Sequence, residues 1–409
     1  MKCKCKMAVA FLLVLALLVP LSFGCGGGGG KGVTITLGEI TDLTGPASSA
    51  LIPVHYALVD LVRYYNEEGI IPGVKLKLVT YDNAYNPSRD LPGYYWCRGK
   101  GAEVIVGTLF LTAETLKPFA ERDKTLVITT GTTQDITDPP GWVFAIACRF
   151  GDQINTVLKW ISENRWDYVA EGRVPKVGVI GWNQPATIDM ENWVSAYCQA
   201  HSDKFQWIGS SRPPVGTTLF SSDADKLKEA DIVVPFGYSA AFIMKTFHDK
   251  GYYPTFIADS TAPSYKRFYV DLVGWENLDG FLNADGQLQW WDVANENIDL
   301  ARSLLQQWRS SQAEDIIGAG SGYGGGFGCQ RILMEMIRQT VEQVGAENFS
   351  GQALYDAALN FEVQFDGHPR WYFTETDRTA IHDVLIHEWS ADEQTLVRVT
   401  PDWLPLVTE

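Results

Sequence analysis

The sequence predicts an α/β protein of two doubly wound, Rossmann-like lobes. Three observations carry this. Short apolar segments of strand type alternate with amphipathic helical segments through short links. The alternation runs once through the first half of the chain and again through the second. The 409 residues, 46% of them hydrophobic and 20% charged, suffice for two ordinary globular domains.

Val33 to Ile40 reads as a strand and Thr44-Gly45-Pro46 as a turn. Ser48 or Ser49 is placed to cap a helix running to about Glu68, with Ala57, Leu58, Leu61, Val62 and Tyr65 on one face. Gly69 stops it, and a second strand covers Val74 to Tyr81. A helix from about Ser88 leads to a strand at Glu103–Gly107, and a helix from about Thr112 leads to one at Thr125–Thr129. The second series runs strand Lys176–Gly181, helix Ile188–Ala200, strand Phe205–Gly209, helix Ser221–Glu229, strand Asp231–Phe236, helix Ala240–Gly251 and strand Thr255–Ala258. Lobes near 33–149 and 150–284 fit this division. Beyond lie helices near Asn295–Gln312, Phe327–Val344 and Gly351–Leu359, then strands near Trp371–Phe373, Val384–Trp389 and Thr395–Val399.

The first 24 residues read as a signal peptide: Lys2, Lys4 and Lys6, then the apolar run Met7–Val19, then Ser22-Phe23-Gly24 before Cys25. The run is too short to span a bilayer comfortably. Two processing routes are open. Cys25 becomes a diacylated N-terminus, or an ordinary signal peptidase cuts nearby. Leu21 and Phe23 depart from the usual lipobox order, whereas Gly26–Gly30, within a 25–32 tether, favours the lipid anchor. Loss of residues 1–24, with three lysines and no acids, takes the net charge from −16 to −19. That charge argues against nucleic acid and against electrostatic attachment to an anionic membrane. No later apolar stretch is long enough to span a membrane, so the body is expected to be soluble and outside the cytoplasm. Cys97, Cys148, Cys198 and Cys329 remain, either paired in one of three ways or as buried free thiols.

Catalytic patterns are missing. There is no GxSxG elbow and no HExxH. His382 and His387 lie five apart on a strand, hence on opposite faces, and are no metal pair; no metal or cofactor is expected. His55, His201, His248 and His368 are scattered and read as surface or structural residues. Gly322–Gly328 follows helical sequence rather than a strand, which argues against a dinucleotide fingerprint. Three uncharged, hydroxyl-rich turns instead follow predicted strands: Leu43–Ser49, Gly107–Thr112 and Thr129–Thr133. In a doubly wound sheet, ligands sit beyond the carboxyl ends of the strands, where such turns offer N–H and O–H donors to a carboxylate. Plain helix capping explains any single turn; three convergent ones point to a site.

Gly38-Glu39-Ile40-Thr41-Asp42-Leu43-Thr44-Gly45-Pro46, Asp82-Asn83 with Pro87, and Val104–Gly107 followed by Leu126–Thr129 resemble the type I periplasmic binding proteins, in particular the branched-chain amino acid-binding group. The resemblance implies two lobes, 33–149 with 285–382 and 150–284 with 383–409, joined by a three-crossing hinge. It implies a monomeric, non-enzymatic solute-binding protein that closes on a small carboxylate and serves a membrane permease and its ATPase. It carries the ligand over to Thr112 or the Leu111 backbone, Gly131 and Thr133 in the first lobe, with Tyr323 on its wall, and Ser48 and Ser49 of the first hydroxyl-rich turn are candidate contacts beside them. In the second lobe it points to Trp182, Ala186, Tyr238, Asp259 and Ser260. Where amino acid binders hold the α-amino group with an acid, this chain has Ser260, with Asp259 one position early. Where a tyrosine often covers the ligand, it has Ala50 and Ala186, and where the group has a disulfide, Tyr85 and Phe110. Trp182, Trp290 and Trp291 are the tryptophans that would line an aromatic cleft. Two rival functions are a ligand sensor that signals to a membrane receptor and a secreted α/β hydrolase, against which the missing elbow counts.

Overall fold

The computed structural model describes residues 32–293 and 295–408. The signal-peptide and Cys25 expectations lie outside these residues, as does all of the tether but Gly32. The first sheet holds β1 (Val33–Thr41), β2 (Val74–Asp82), β3 (Ala102–Gly107), β4 (Leu126–Thr129) and β5 (Val143–Ala145) in the order β2-β1-β3-β4-β5, all parallel. The second holds β6 (Lys176–Ile180), β7 (Gln206–Ser211), β8 (Ile232–Pro235), β9 (Thr255–Ala258) and β10 (Leu282–Asp285). β11 (Glu362–Gln364) and β12 (Arg370–Tyr372) form a separate hairpin. β13 (Asp383–Ser390), β14 (Thr395–Arg398) and β15 (Leu404–Pro405) then close the second sheet, with β13 antiparallel to β10.

The parallel strands are apolar for a physical reason. Helices cover both faces, so both sets of side chains are buried. Ile35, Leu37 and Ile40 of β1 and Val104, Ile105 and Val106 of β3 are fully buried. Continuous burial, rather than strict alternation, makes such strands visible in a sequence.

The chain crosses between the sheets three times: after β5, after β10 and before β13. At the first crossing Thr132 bridges Arg149, and near the third Ala145 bridges Thr379. The helices Glu296–Arg309 and Gly322–Val344 return to the first lobe. Arg309 donates from Nε and Nη2 to both oxygens of Asp60 at 2.8 Å, and the Tyr323 hydroxyl adds a bond at 3.0 Å.

The glycine run Gly322–Gly328 is helical and begins five residues before the expected helix start. It is a close-approach face for the second crossing. A Cβ on Gly324 would lie 3.0 Å from the Trp290 ring, and one on Gly328 would lie 2.2 Å from Gln287 Oε1.

The pattern did not predict β5, β10, or the helices Phe150–Asn164 and Lys266–Val273. The expected cap at Ser48 or Ser49 is also corrected. Both serines lie inside the helix Ser48–Glu67, no side chain caps it, and Asp42 takes the turn's N–H groups instead: Thr44 at 3.2 Å and Ala47 at 2.9 Å. No described helix is long and apolar enough to cross a membrane. All four cysteines in the described residues are free thiols.

Candidate functional site

A cleft of about 150 Å³ lies between the lobes, beyond the carboxyl ends of β1, β3 and β4 on one side and β6, β8 and β9 on the other. This is the position a doubly wound sheet offers a ligand. Ala50, Leu51, Tyr85, Thr108, Leu109, Phe110, Thr130 and Gly131 line it from the first lobe. Trp182, Gln184, Phe236, Tyr238, Ser260, Thr261 and Tyr265 line it from the second. Cys148, Phe150, Asp285, Gly286 and Gln287 come from the first two crossings.

The walls are aromatic. Phe110 and Phe150 pack edge-to-face with centroids 5.6 Å apart, and each meets Phe236, at 6.0 and 5.3 Å. Trp182 lies 6.0 Å from Tyr238, which lies 5.9 Å from Tyr265. Trp182 Nε1 donates to Thr217 O at 2.8 Å, so the indole presents an apolar face to the cleft.

The polar groups are mostly hydroxyls and amides. Neither Lys, Arg nor His lines the cleft. The helices Phe110–Asp123 and Pro185–Ala200 begin at the cleft, next to Leu109 and Gln184, and neither start is capped by a side chain. First-turn N–H groups without intrahelical partners favour an anion there. Asp285 is the one acidic residue among the lining residues. It is buried; Oδ2 accepts from Asn283 at 2.7 Å and lies 3.1 Å from His387 Nδ1. His387 Nε2 lies 3.0 Å from Asp292 Oδ1. Burial alone would push His387 down, but Asp285 and Asp292 outweigh it and hold it up at about 9. Burial pushes Asp285 above the usual carboxylate range.

The structure brings Gly131, Trp182, Tyr238 and Ser260 together at the cleft. The other expected positions fall elsewhere, each for a local reason. Ser48 is half-buried and Ser49 exposed; the helix turns Ala50, Leu51 and Val54 to the cleft instead. Leu111 packs on the first-lobe core. Thr112 is held behind the sheet, where its hydroxyl donates to the buried Asp90 at 3.0 Å and accepts from Asn83 at 3.2 Å. Thr133 lines a separate groove with Gln134 and Asp189. Ala186 is core. Asp259 lies just outside the lining; Oδ1 accepts from Thr261 N–H at 2.7 Å, and burial raises its carboxyl to about 6. Tyr323 is fully buried against Asp60. Of the three tryptophans, Trp182 alone lines the cleft; Trp290 donates to Gly320 O at 3.0 Å and stacks on Tyr323.

Sequence reasoning missed Tyr85, because its signal lies in the backbone: Ala84 and Tyr85 follow the Asp82-Asn83 turn with φ of 52° and 56°. A bulky side chain in the left-handed region is strained and recurs at functional sites. Asp285, Gln287 and Gln289 carried no comparable signal. Among the described residues no group of three or more His, Cys, Asp or Glu is placed to hold a metal ion.

Two lobes, three crossings and a cleft at the strand ends define a two-lobe α/β binding protein. The chain belongs to the periplasmic binding protein family, whose model matches residues 34–394, and it has the type I fold. It is similar to a branched-chain amino acid ABC transporter structure from Thermus thermophilus with bound valine: TM-score 0.77, 18% identity, 91% of this chain and 96% of that one. It is also similar to a solute-binding protein of an ABC transporter from Rhodopseudomonas palustris in complex with 4-hydroxybenzoate: TM-score 0.73, 15% identity, 91% and 97% coverage. A possible leucine/isoleucine/valine-binding protein from Rhodopirellula baltica gives a TM-score of 0.73 at 15% identity over 90% and 97%. At these identities the likeness is one of fold. No curated protein sequence matches the chain.

Proposed function

We propose that this protein is the extracytoplasmic solute-binding component of an ABC importer of the branched-chain amino acid type. It captures a small carboxylate-bearing solute, an amino acid or an aromatic or branched acid, between lobes 33–149 with 285–382 and 150–284 with 383–409. The observation that carries this is the cleft itself. It is aromatic-walled, free of lysine and arginine, and flanked by two uncapped helix N-termini from opposite lobes. Such a site suits a carboxylate held by N–H and O–H donors with an apolar body between the rings. Two structures of the same fold hold valine and 4-hydroxybenzoate, each a small carboxylate with an apolar body.

In this reading the chain has no catalytic role. Gly131, Trp182, Tyr238 and Ser260 contact the solute. The permease and ATPase read the closed form, and Cys25 is the lipid anchor that keeps a monomer at the membrane. The test is calorimetric titration of residues 32–409 with aliphatic amino acids and aromatic carboxylates. Saturable one-to-one binding supports the proposal. Binding of neither class counts against it.

A further inference from the structure

The acidic chain has a basic face. Segments 74–77, 95–103 and 122–125 carry six basic residues and two acids, the reverse of the balance in the whole sequence. All three lie on the first lobe, at the end of the sheet where the parallel strands begin. Thr34 of β1 pairs with Lys75, and Thr36 pairs with both Lys77 and Ala102, the first residue of β3. Lys124 lies just before β4. The cleft lies beyond the other end of these strands.

The basic residues share their face with exposed aromatic rings. Alternate residues of a strand point the same way, and Tyr81 of β2 meets Trp96 of the helix Asp90–Gly99 with ring centroids 5.9 Å apart. Lys75 and Lys77 are therefore on that helix's side, and both are exposed. Trp96 is 40% exposed and Tyr95 46%. Lys100 Nζ lies 5.7 Å from the Trp96 ring centroid, and Arg122 Nη2 donates to the Tyr95 hydroxyl at 2.8 Å. The two acids leave the charge positive. Asp123 is shared by Arg98 and Arg122, each at 2.7 Å. Glu103 is half-buried, and burial raises its carboxyl to about 7. Indole and phenol rings beside lysine stems suit a boundary between water and lipid.

The chain also enters the fold at this end, where the Val33 N–H donates to Gly73 O at 2.9 Å. From Cys25 to Gly32 it spans at most about 25 Å. We propose that the face carrying Lys75, Lys77, Trp96 and Lys100 rests on a lipid bilayer with anionic headgroups. The proposal rests on the reading of Cys25 as a lipid anchor and goes beyond it: the anchor sets distance, and this face sets orientation. The net charge argues against attachment of the whole chain by charge, but a bilayer meets one face at a time. A lysine near an anionic surface strengthens attachment about fivefold. β1 is nine residues long, about 30 Å. A chain resting on this face therefore keeps its cleft clear of the headgroups.

The test is hydrogen exchange of the full chain, expressed with its own leader. It is measured on vesicles of phosphatidylcholine alone and of equal parts phosphatidylcholine and phosphatidylglycerol. β2 is an edge strand, so its outward amides report what covers them. Segments 74–77, 95–103 and 122–125 are expected to exchange at least about fivefold more slowly on the anionic vesicles, the scale of one lysine. High salt should remove the difference. Joint substitution of Lys75→Gln, Lys77→Gln and Lys100→Gln should remove it as well, with solute affinity as in wild type. Equal exchange on the two vesicles overturns the proposal without any variant and leaves the solute-binding reading standing. Protection that persists in the folded variant also overturns it. Equal exchange combined with impaired solute uptake by cells carrying the variant overturns it in favour of a protein partner. A chain that washes off neutral vesicles yet is protected on anionic ones contradicts the Cys25 anchor and supports the face.

Discussion

The Tyr85 hydroxyl donates to Gln184 Oε1 at 3.2 Å, joining a first-lobe residue to a second-lobe one across the cleft. Tyr85 adopts φ of 56°, a conformation bulky residues avoid, and burial raises its phenol to about 12, so it remains a donor at neutral pH. The strained backbone turns the ring toward the other lobe. Tyr85→Phe keeps the ring and loses the bond. Solute affinity should fall by about 0.5–1.5 kcal/mol, the net value of one neutral hydrogen bond, with little change in melting temperature. Calorimetry of both proteins with the same solute checks this.

Tyr323 tests the placement of the wall. Its hydroxyl belongs to the Asp60–Arg309 pair, which ties the helix Glu296–Arg309 to the helix Ser48–Glu67. Tyr323→Phe should cost about 1 kcal/mol of stability and leave solute affinity unchanged. Arg309→Ala strands Asp60, which is 2% exposed, and should cost about 3–5 kcal/mol. Denaturant unfolding beside calorimetry separates the two roles. A tenfold loss of affinity in Tyr323→Phe would return that residue to the site.

Much of the fold was legible because its strands are buried on both faces. Val104-Ile105-Val106 and Ile232-Val233-Val234 are unbroken apolar runs with turn residues nearby. β5 escaped because three residues carry no period. The helix Phe150–Asn164 could have been found, since Phe150, Ile154, Val157, Leu158 and Ile161 repeat at helical spacing and are all buried. The site was legible only where a turn directly follows a strand, as at Gly131 and Trp182. Thr112 and Thr133 have the right chemistry and the wrong commitments: Asp90 claims the first, and a separate groove holds the second. Asp285 was invisible because its partner His387 lies 102 positions away on β13.

Gly131 is confined. A Cβ there would meet the Phe150 ring at 2.9 Å, and Phe150 is already packed on Phe110 and Phe236. Gly131→Val should destabilise by about 1–3 kcal/mol through overpacking and weaken solute binding by moving an aromatic wall. Thermal unfolding and calorimetry give both numbers.

Stability should fall as pH rises. Burial holds the carboxyls of Asp152 and Asp189 up, at about 7 and about 6. Between about 4 and those values the folded state binds more protons than the unfolded state, so raising the pH costs stability. His387 continues the trend. Its folded value of about 9 exceeds the unfolded value of about 6.5. Its contribution is complete below about 6.5 and is lost as pH rises through about 9. The melting midpoint should therefore decline from pH 5 to pH 9. Asp152→Asn should flatten the lower part of that decline and His387→Gln the upper part. A midpoint that climbs over this range would contradict the assigned environments.

The central claim is that a small solute binds between the lobes. Thermal unfolding of wild type and Leu51→Trp with amino acids and aromatic carboxylates tests it directly, because an indole at Leu51 occupies the 150 Å³ cleft. The account predicts a solute that stabilises wild type, by about 2.7 kcal/mol at 100 times its Kd, and leaves the variant's midpoint unmoved. Equal stabilisation of both proteins, or of neither by any solute in the series, would contradict it.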